Sequence, residues 1–138
     1  MFENEKCVRL AREMAKAYQD SDLFKELMAL RERNDNDQQL QNDIAKFNLL
    51  RMKMENENAK EDRDEDVLDL YSEQLRDVYE VIMNNENMAK YSALSQKLER
   101  LQNYIFAIAR AGFTGEDADA VSEQDACTHD CSTCGGCH

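Results

Sequence analysis

The sequence contains no proline and only four glycines, all of which lie beyond residue 110. Proline and glycine are the residues that most strongly interrupt helices, so nothing in the first 110 residues breaks a helix by steric means. We therefore predict that this region is almost entirely helical. The helical pattern is expected to stop at Gly112, placed as a C-terminal cap, with Gly115 extending the break.

Long apolar runs are also missing. No segment approaches the ~18 apolar residues needed to cross a bilayer, and the N-terminal stretch MFENEKCVRL is charged from its third residue onward. We expect neither a membrane span nor a signal peptide, and hence a cytoplasmic protein. In a reducing compartment, clustered cysteines are more often metal ligands or redox groups than structural disulfides.

Residues and motifs typical of enzymes are scarce. The two histidines are His129 and His138, so the helical region has none. The phosphate-binding motif GxxxxGK[ST], the dinucleotide-binding motif GxGxxG and the nucleophile motif GxSxG are all absent. We therefore expect the protein not to be an enzyme.

The net charge of −12 is concentrated in two segments. Residues 55–66, ENENAKEDRDED, hold seven acids and two bases, and the segment from Glu116 onward holds six acids and no base. The remaining helical region is close to neutral. Such a charge distribution repels nucleic-acid phosphates, so direct nucleic-acid binding is not expected, and any action on RNA would need a partner to make the contacts.

Apolar residues recur at steps of three and four along the second half of the chain, which predicts two amphipathic helices. Asparagines in the segment MNNEN suit the turn between them, so we expect a long C-terminal helical hairpin. The two stripes are Leu68, Tyr71, Leu75, Val78 and Ile82, followed by Met88, Tyr91, Leu94, Leu98, Leu101, Ile105 and Ile108.

Three further helices are predicted upstream, and their stripes are interpreted as core. The first helix has two adjacent stripes and hence a broad buried face that includes Cys7. Asp20 or Ser21 caps the second helix, and the polar cluster RNDND (33–37) separates it from the third. The acidic stretch 55–66 is interpreted as a solvated helix extension or loop. The stripes hold Cys7, Val8, Leu10, Ala11, Met14, Ala15, Ala17 and Tyr18, then Leu23, Phe24, Leu27, Met28 and Leu30, then Leu40, Ile44, Phe47, Leu50 and Met54.

The predicted fold class is therefore all-α: an antiparallel helical bundle of about five helices, ending in the long hairpin and a cysteine-rich tail. One folded helical domain over residues 1–115 is expected, because 138 residues are the size of one ordinary domain. Residues 116–138 are predicted to form an acidic, polar tether and a metal-binding tail.

Four of the five cysteines lie in the final segment CTHDCSTCGGCH, with the spacing C-x3-C-x2-C-x2-C. Thiolates are soft ligands that select zinc or iron-sulfur clusters, and four complete the ligand set of either. Gly135 and Gly136 allow the backbone to fold closely around a metal. The predicted cofactor and metal ligands are Cys127, Cys131, Cys134 and Cys137.

The identity of the metal stays open on spacing alone. Structural zinc sites usually join two cysteine pairs that are separated by a dozen or more residues. The close spacing here is more similar to the cysteine spacing of iron-sulfur proteins. This run nevertheless lacks the proline that follows the last cysteine of the ferredoxin motif. His129 and His138 are possible ligands, but they are more simply interpreted as tail residues. A thiol redox protein is disfavoured because Asp125 and Asp130 lie beside the cysteines with no base nearby. A tail that binds nothing in the cell is the remaining alternative.

The pattern LxxYxxxLxxVYxxI, the helix NNENMAKYSALSQKLERLQNYIFAIA and the terminal CTHDCSTCGGCH together resemble the YlbF/YmcA family of bacterial regulators, in its cysteine-tailed, YlbF-like branch. The resemblance covers essentially the whole chain. It implies an all-helical, dimer-forming protein that joins YmcA-like and YaaT-like partners in a complex carrying [4Fe-4S] clusters.

The same resemblance implies a role in competence, sporulation and biofilm development, exerted with ribonuclease Y in mRNA maturation. The cluster-ligand roles of the family carry over to Cys127, Cys131, Cys134 and Cys137, and to no residue of the helices. Ligands in that complex can come from more than one subunit, so the implied assembly is a homodimer or a hetero-oligomer.

Overall fold

The computed structural model describes residues 1–124 and 126. Over this part of the chain the secondary structure consists of five α-helices and one 3₁₀ turn, without a strand, which confirms the predicted all-helical class. The chain divides into two compact units, Met1–Ser92 and Ala93–His138. The helices are α1 (Lys6–Asp20), α2 (Asp22–Asn36), α3 (Gln38–Asn58), α4 (Glu65–Asn84) and α5 (Glu86–Thr114), and the 3₁₀ turn is Ala118–Ala120.

Three of the helix junctions are single capping residues. Ser21 caps α2, since its Oγ accepts a hydrogen bond from the backbone N–H of Phe24 at 3.3 Å. Asn85 ends α4, and its Oδ1 accepts from the backbone N–H of Met88 at 3.0 Å, in the first turn of α5. Short polar side chains in extended backbone satisfy the free N–H groups of a helix start, as predicted at both places.

The junction between α2 and α3 is shorter than the sequence predicts. Helix α2 continues through Asn36, and Asp37 alone separates the two helices, so most of RNDND is helical. Asn34, within that cluster, is only 6% exposed and its Nδ2 donates to Sδ of Met88 at 3.8 Å. The predicted polar linker was wrong because one extended aspartate is sufficient to end one helix and cap the next.

The most extensive helix pairing in the first unit is between α3 and α4. Their core comprises Leu40, Leu50, Val78 and Ile82, all buried. Asn85, at the end of α4, donates from Nδ2 to Oδ2 of Asp37, at the start of α3, so the two helices are antiparallel. The hairpin therefore lies one helix earlier than the predicted pair. The half-buried residues packed on this core are Ile44, Phe47, Tyr71, Leu75 and Met88.

The acidic stretch 55–66 is partly a helix extension and partly a loop, as predicted. Helix α3 continues to Asn58, and α4 begins at Glu65. Glu57 stabilises the loop, since its Oε2 accepts from Nζ of Lys60 at 2.6 Å and its Oε1 accepts from the backbone N–H of Asp64 at 3.0 Å. The loop is thus held by local hydrogen bonds on an exposed surface.

Helix α1 does not bury the broad face that its sequence predicts. None of its residues is buried: Leu10 is 52% exposed and Met14 is 42% exposed. Cys7, interpreted as a small core residue, is exposed. At the C-terminal end, the ring of Tyr18 lies 5.4 Å from that of Phe24, centroid to centroid. Apart from this contact at its C-terminal end, the predicted apolar face of α1 is not buried by the first unit.

Asp37 gives the stability of the first unit a specific pH dependence. A backbone hydrogen bond from Leu40, followed by the side-chain bond from Asn85, lowers the pKa of Asp37 below its ordinary value. A lowered folded-state pKa stabilises the fold at pH values above the unfolded-state pKa of ~3.9, and this contribution is lost as the pH falls through the folded-state pKa.

We therefore expect the urea midpoint of the wild-type protein to fall more steeply than that of Asp37→Asn as the pH is lowered below about 4. Asparagine retains a cap oxygen but does not titrate in this range. Circular dichroism across a urea series at each pH measures both midpoints. Parallel pH profiles for the two proteins would contradict the assigned role of Asp37.

Candidate metal centre

The four predicted ligands lie outside the part of the chain that the structure describes. This applies to Cys127, Cys131, Cys134 and Cys137, and likewise to His129 and His138. Their role as a metal or cluster site stays a prediction. Cys7 is the only cysteine among the residues with described positions, and its thiol is free and exposed.

The described helices do not provide a second cluster of metal ligands. Within residues 1–124 and 126, no group of three or more histidine, cysteine, aspartate or glutamate side chains is arranged to hold a metal ion. The acids there serve other purposes, such as the caps at Asp37 and Asp64. The tail cysteines therefore remain the only ligand set that the sequence proposes.

The segment leading to these cysteines begins at a well-defined helix end. Helix α5 continues through Gly112 to Thr114, and Gly115 follows with φ of +81°. The N–H of Glu116 donates to the carbonyl of Ala111 at 2.9 Å, and that of Gly115 donates to the carbonyl of Gly112 at 3.3 Å. This is a Schellman cap, which requires a left-handed residue, and glycine adopts that conformation without strain. The predicted cap at Gly112 was wrong by three residues.

After this cap the tether continues as a short ordered element. Asp117 Oδ1 accepts from the backbone N–H of Asp119 at 3.0 Å and so caps the 3₁₀ turn Ala118–Ala120. The hydroxyl of Tyr104, on α5, then donates to the carbonyl of Val121 at 3.1 Å. Tyr104 is ten residues before the last residue of α5, so the tether turns back along the helix by about 15 Å.

This return was not predicted, because the composition of EDADAVSEQDA indicated only a polar tether. Three of its four apolar residues, Ala118, Val121 and Ala126, are half-buried, whereas the acids Glu116 and Asp119 are exposed. A weak signal was present in the sequence, since apolar residues interrupt the acids of this segment. Their number is too small for a periodicity argument.

The charge around the tether restricts the chemistry of the thiols that follow it. The described acids of the tether are exposed, and no lysine or arginine follows Arg110. A negatively charged environment disfavours a free thiolate, because thiolates are stabilised by nearby cations. A bound metal ion would supply that positive charge, and metal binding by these thiols stays a prediction.

None of the helices in the described part of the chain combines the length and the apolar character needed to span a membrane.

Comparison with known proteins adds a family assignment for the helical region. Neither the curated proteins nor the solved structures yield a match. The profile of the Com_YlbF family, described as "Control of competence regulator ComK, YlbF/YmcA", matches residues 8–112. This match covers most of the chain, from α1 almost to the end of α5, and stops before the tether and the cysteines. The chain therefore belongs to the Com_YlbF (YlbF/YmcA) family of regulators.

Proposed function

We propose that this protein is a non-enzymatic regulatory subunit that carries a [4Fe-4S] cluster on Cys127, Cys131, Cys134 and Cys137. The observation that supports this most directly is the combination of two parts: a family-matched helical region over residues 8–112, and a four-thiol tail beyond it. Family membership supports the regulatory role, and the thiols supply the chemistry.

The proposed setting is a bacterial complex with YmcA-like and YaaT-like proteins. This complex would support competence, sporulation and biofilm development through mRNA processing that depends on ribonuclease Y. Homodimers or hetero-oligomers are both consistent with the surface of α1. Its uncovered apolar residues include Leu10 and Met14, and exposed apolar surface of this kind is typical of protein interfaces.

The donor set fits an iron-sulfur cluster. Four thiolates within residues 127–137 match the number of cysteines that a [4Fe-4S] cluster takes. Because three residues span at most ~10 Å, neighbouring cysteines are close enough to share one cluster. When bound, the cluster would make assembly or activity sensitive to iron and oxygen. What the chain itself contributes is the thiolates and the tether that presents them.

Contacts with RNA are assigned to the partners and not to this chain. The acidic segments 55–66 and 116–126 would repel phosphates, since bases are few in the first and absent from the second.

The proposal of a non-enzymatic role rests on the absence of histidine from the helical region and of the common catalytic motifs.

The proposal is tested by measuring iron, acid-labile sulfide and zinc per chain, together with the visible spectrum, on protein prepared without oxygen. We expect about four irons and four sulfides per cluster and broad visible absorption. The measurement is made on the protein alone and with YmcA-like and YaaT-like partners. A cluster that forms only with the partners would show that its ligands are shared.

Two other results would replace the proposal. Stoichiometric zinc without labile sulfide would identify a zinc-stabilised helical interaction module, in which the metal only orders the tail. Protein free of both metals, with a thiol pKa well below the ordinary ~8.5, would identify a thiol redox protein.

A further inference from the structure

Helix α1 is basic, although the chain as a whole is acidic. Its 15 residues hold four bases and two acids, whereas the net charge of the protein is −12. All four bases are exposed, and none of them forms an ion pair with another residue of the described part of the chain. Their charge is therefore available to an acidic partner. The four bases are Lys6, Arg9, Arg12 and Lys16.

Two of these bases border the uncovered apolar face of α1. Lys6, Leu10 and Met14 are spaced by four residues and so lie on one side of the helix. Arg9 follows Lys6 by three residues, which places the two cations side by side. A partner that covers Leu10 and Met14 must therefore offer both apolar side chains and negative charge. These four residues are called the basic face of α1.

Helix α4 exposes a stripe of the opposite character, called the acidic face of α4. Its five residues recur at steps of three and four, so they share one side of the helix. Its two apolar residues are 50% and 55% exposed, and its three acids are exposed as well. No ion pair within the described residues involves these acids. The face consists of Asp66, Leu70, Glu73, Asp77 and Val81.

We propose that a second copy of this chain covers α1, and that the basic face of α1 docks on the acidic face of α4 in that copy. In the described part of the chain, α1 does not pair with α4 of its own copy, so both faces are open to another molecule. Each copy presents both faces, and the contact is made twice in a twofold dimer. This inference specifies the homodimer named in the proposed function, and it does not depend on the cluster.

Charge favours a second copy over the other anionic surfaces that attract basic helices. Nucleic acids and anionic lipids would attract the bases of α1 but would repel the acids that dominate the rest of the chain. In a second copy, some of those acids are the ones that become paired. Leu70 and Val81 then supply the apolar contact that Leu10 and Met14 lack.

The test measures the dissociation constant for self-association of the full chain by sedimentation equilibrium in reducing buffer. Reversing the charges of α1 in Lys6→Glu/Arg9→Glu should raise this constant at least about 5-fold, because attractive pairs become repulsive. Glu73→Lys/Asp77→Lys should raise it by a similar factor. All four changes together should return it to within about 3-fold of wild type, since the pairs are restored with opposite sign. Recovery in the combined variant also shows that the single reversals did not weaken association through misfolding.

Two comparisons separate specific pairing from the general effect of charge. Glu73→Lys/Asp77→Lys takes the net charge from −12 to −8, so general repulsion between copies would fall and association would tighten. The proposal predicts the opposite result. Lys46→Glu/Lys53→Glu makes the same charge change as the α1 variant on exposed residues of α3, and it should weaken association clearly less.

Three outcomes would overturn the proposal. The first is a wild type that stays monomeric at about 100 μM protein in low salt, where screening is weakest. The second is a dimer whose dissociation constant neither reversal changes, which would mean that another surface joins the copies. The third is monomeric protein that binds phosphatidylserine vesicles through α1, which would assign this helix to a membrane surface.

The metal content of the same samples keeps this proposal separate from the proposed function. Association that persists in protein without iron would leave the interface standing and the cluster refuted. Protein that holds iron but does not associate would do the reverse.

Discussion

Replacing Cys131 and Cys134 with serine is expected to remove the iron and labile sulfide completely while leaving the helices intact. Serine hydroxyls are poor ligands for iron-sulfur clusters, and losing two of four thiolates leaves too few to hold one. The described helices contain no other metal-ligand cluster and end at Thr114, before the tail. Metal analysis of anaerobic protein, with far-ultraviolet circular dichroism of the same samples, measures both effects.

Cys7→Ser is the matched control for this experiment. Cys7 is exposed and lies on α1, so its loss should change neither the iron content nor the helical signal. Iron retained in the double variant would show that the tail is not the site. Loss of helicity in the double variant would show that the tail supports the fold, contrary to the modular organisation proposed.

Leu40→Ala is expected to destabilise the first unit by about 2 to 5 kcal/mol, the usual range for truncating a buried leucine. Leu40 is 2% exposed and belongs to the core between α3 and α4. Only three other buried apolar residues share that core with Leu40. Few side chains are therefore available to move into the cavity that the loss of three carbon atoms leaves. A loss of this size is a large fraction of the ~5 to 15 kcal/mol that keeps a typical domain folded.

Leu49→Ala makes the same chemical change on the same helix, at a side chain that is 50% exposed. Its effect should stay below about 1 kcal/mol, because little buried area is lost. Urea unfolding followed by circular dichroism gives both values. Equal midpoints for the two variants would mean that the α3–α4 packing is not the main core of this unit.

The helices and their caps were predictable because they depend on local chemistry. Ser21 and Asn85 stand immediately before apolar repeats and can bond only to backbone a few residues away, so the sequence is sufficient to identify them. The cap at the end of α5 was less certain, since Gly112 and Gly115 could each end a helix. Only the backbone conformation distinguishes them, and Gly115 is the one with positive φ.

Tertiary contacts were predicted less well, for a different reason. An apolar stripe shows which face of a helix avoids water, but it does not identify the element that covers that face. Leu10 and Leu40 lie on stripes of the same kind, yet one is 52% exposed and the other 2%. The Tyr104–Val121 bond joins residues on either side of a helix end, and no periodicity predicts such a contact. The tail cysteines remain a prediction from spacing and resemblance alone.

The exposure of α1 has a consequence for how this protein would recognise a partner. A helix of 15 residues that buries none of them is held mainly by its own backbone, and isolated helices of this length are only marginally stable in water. We therefore expect it to be the part of the first unit that unfolds most readily on its own. A partner that covers Leu10 and Met14 would order this helix as it binds. Part of the favourable free energy of the contacts would then offset the entropy lost when the helix is ordered. Recognition through α1 would then be specific but readily reversible.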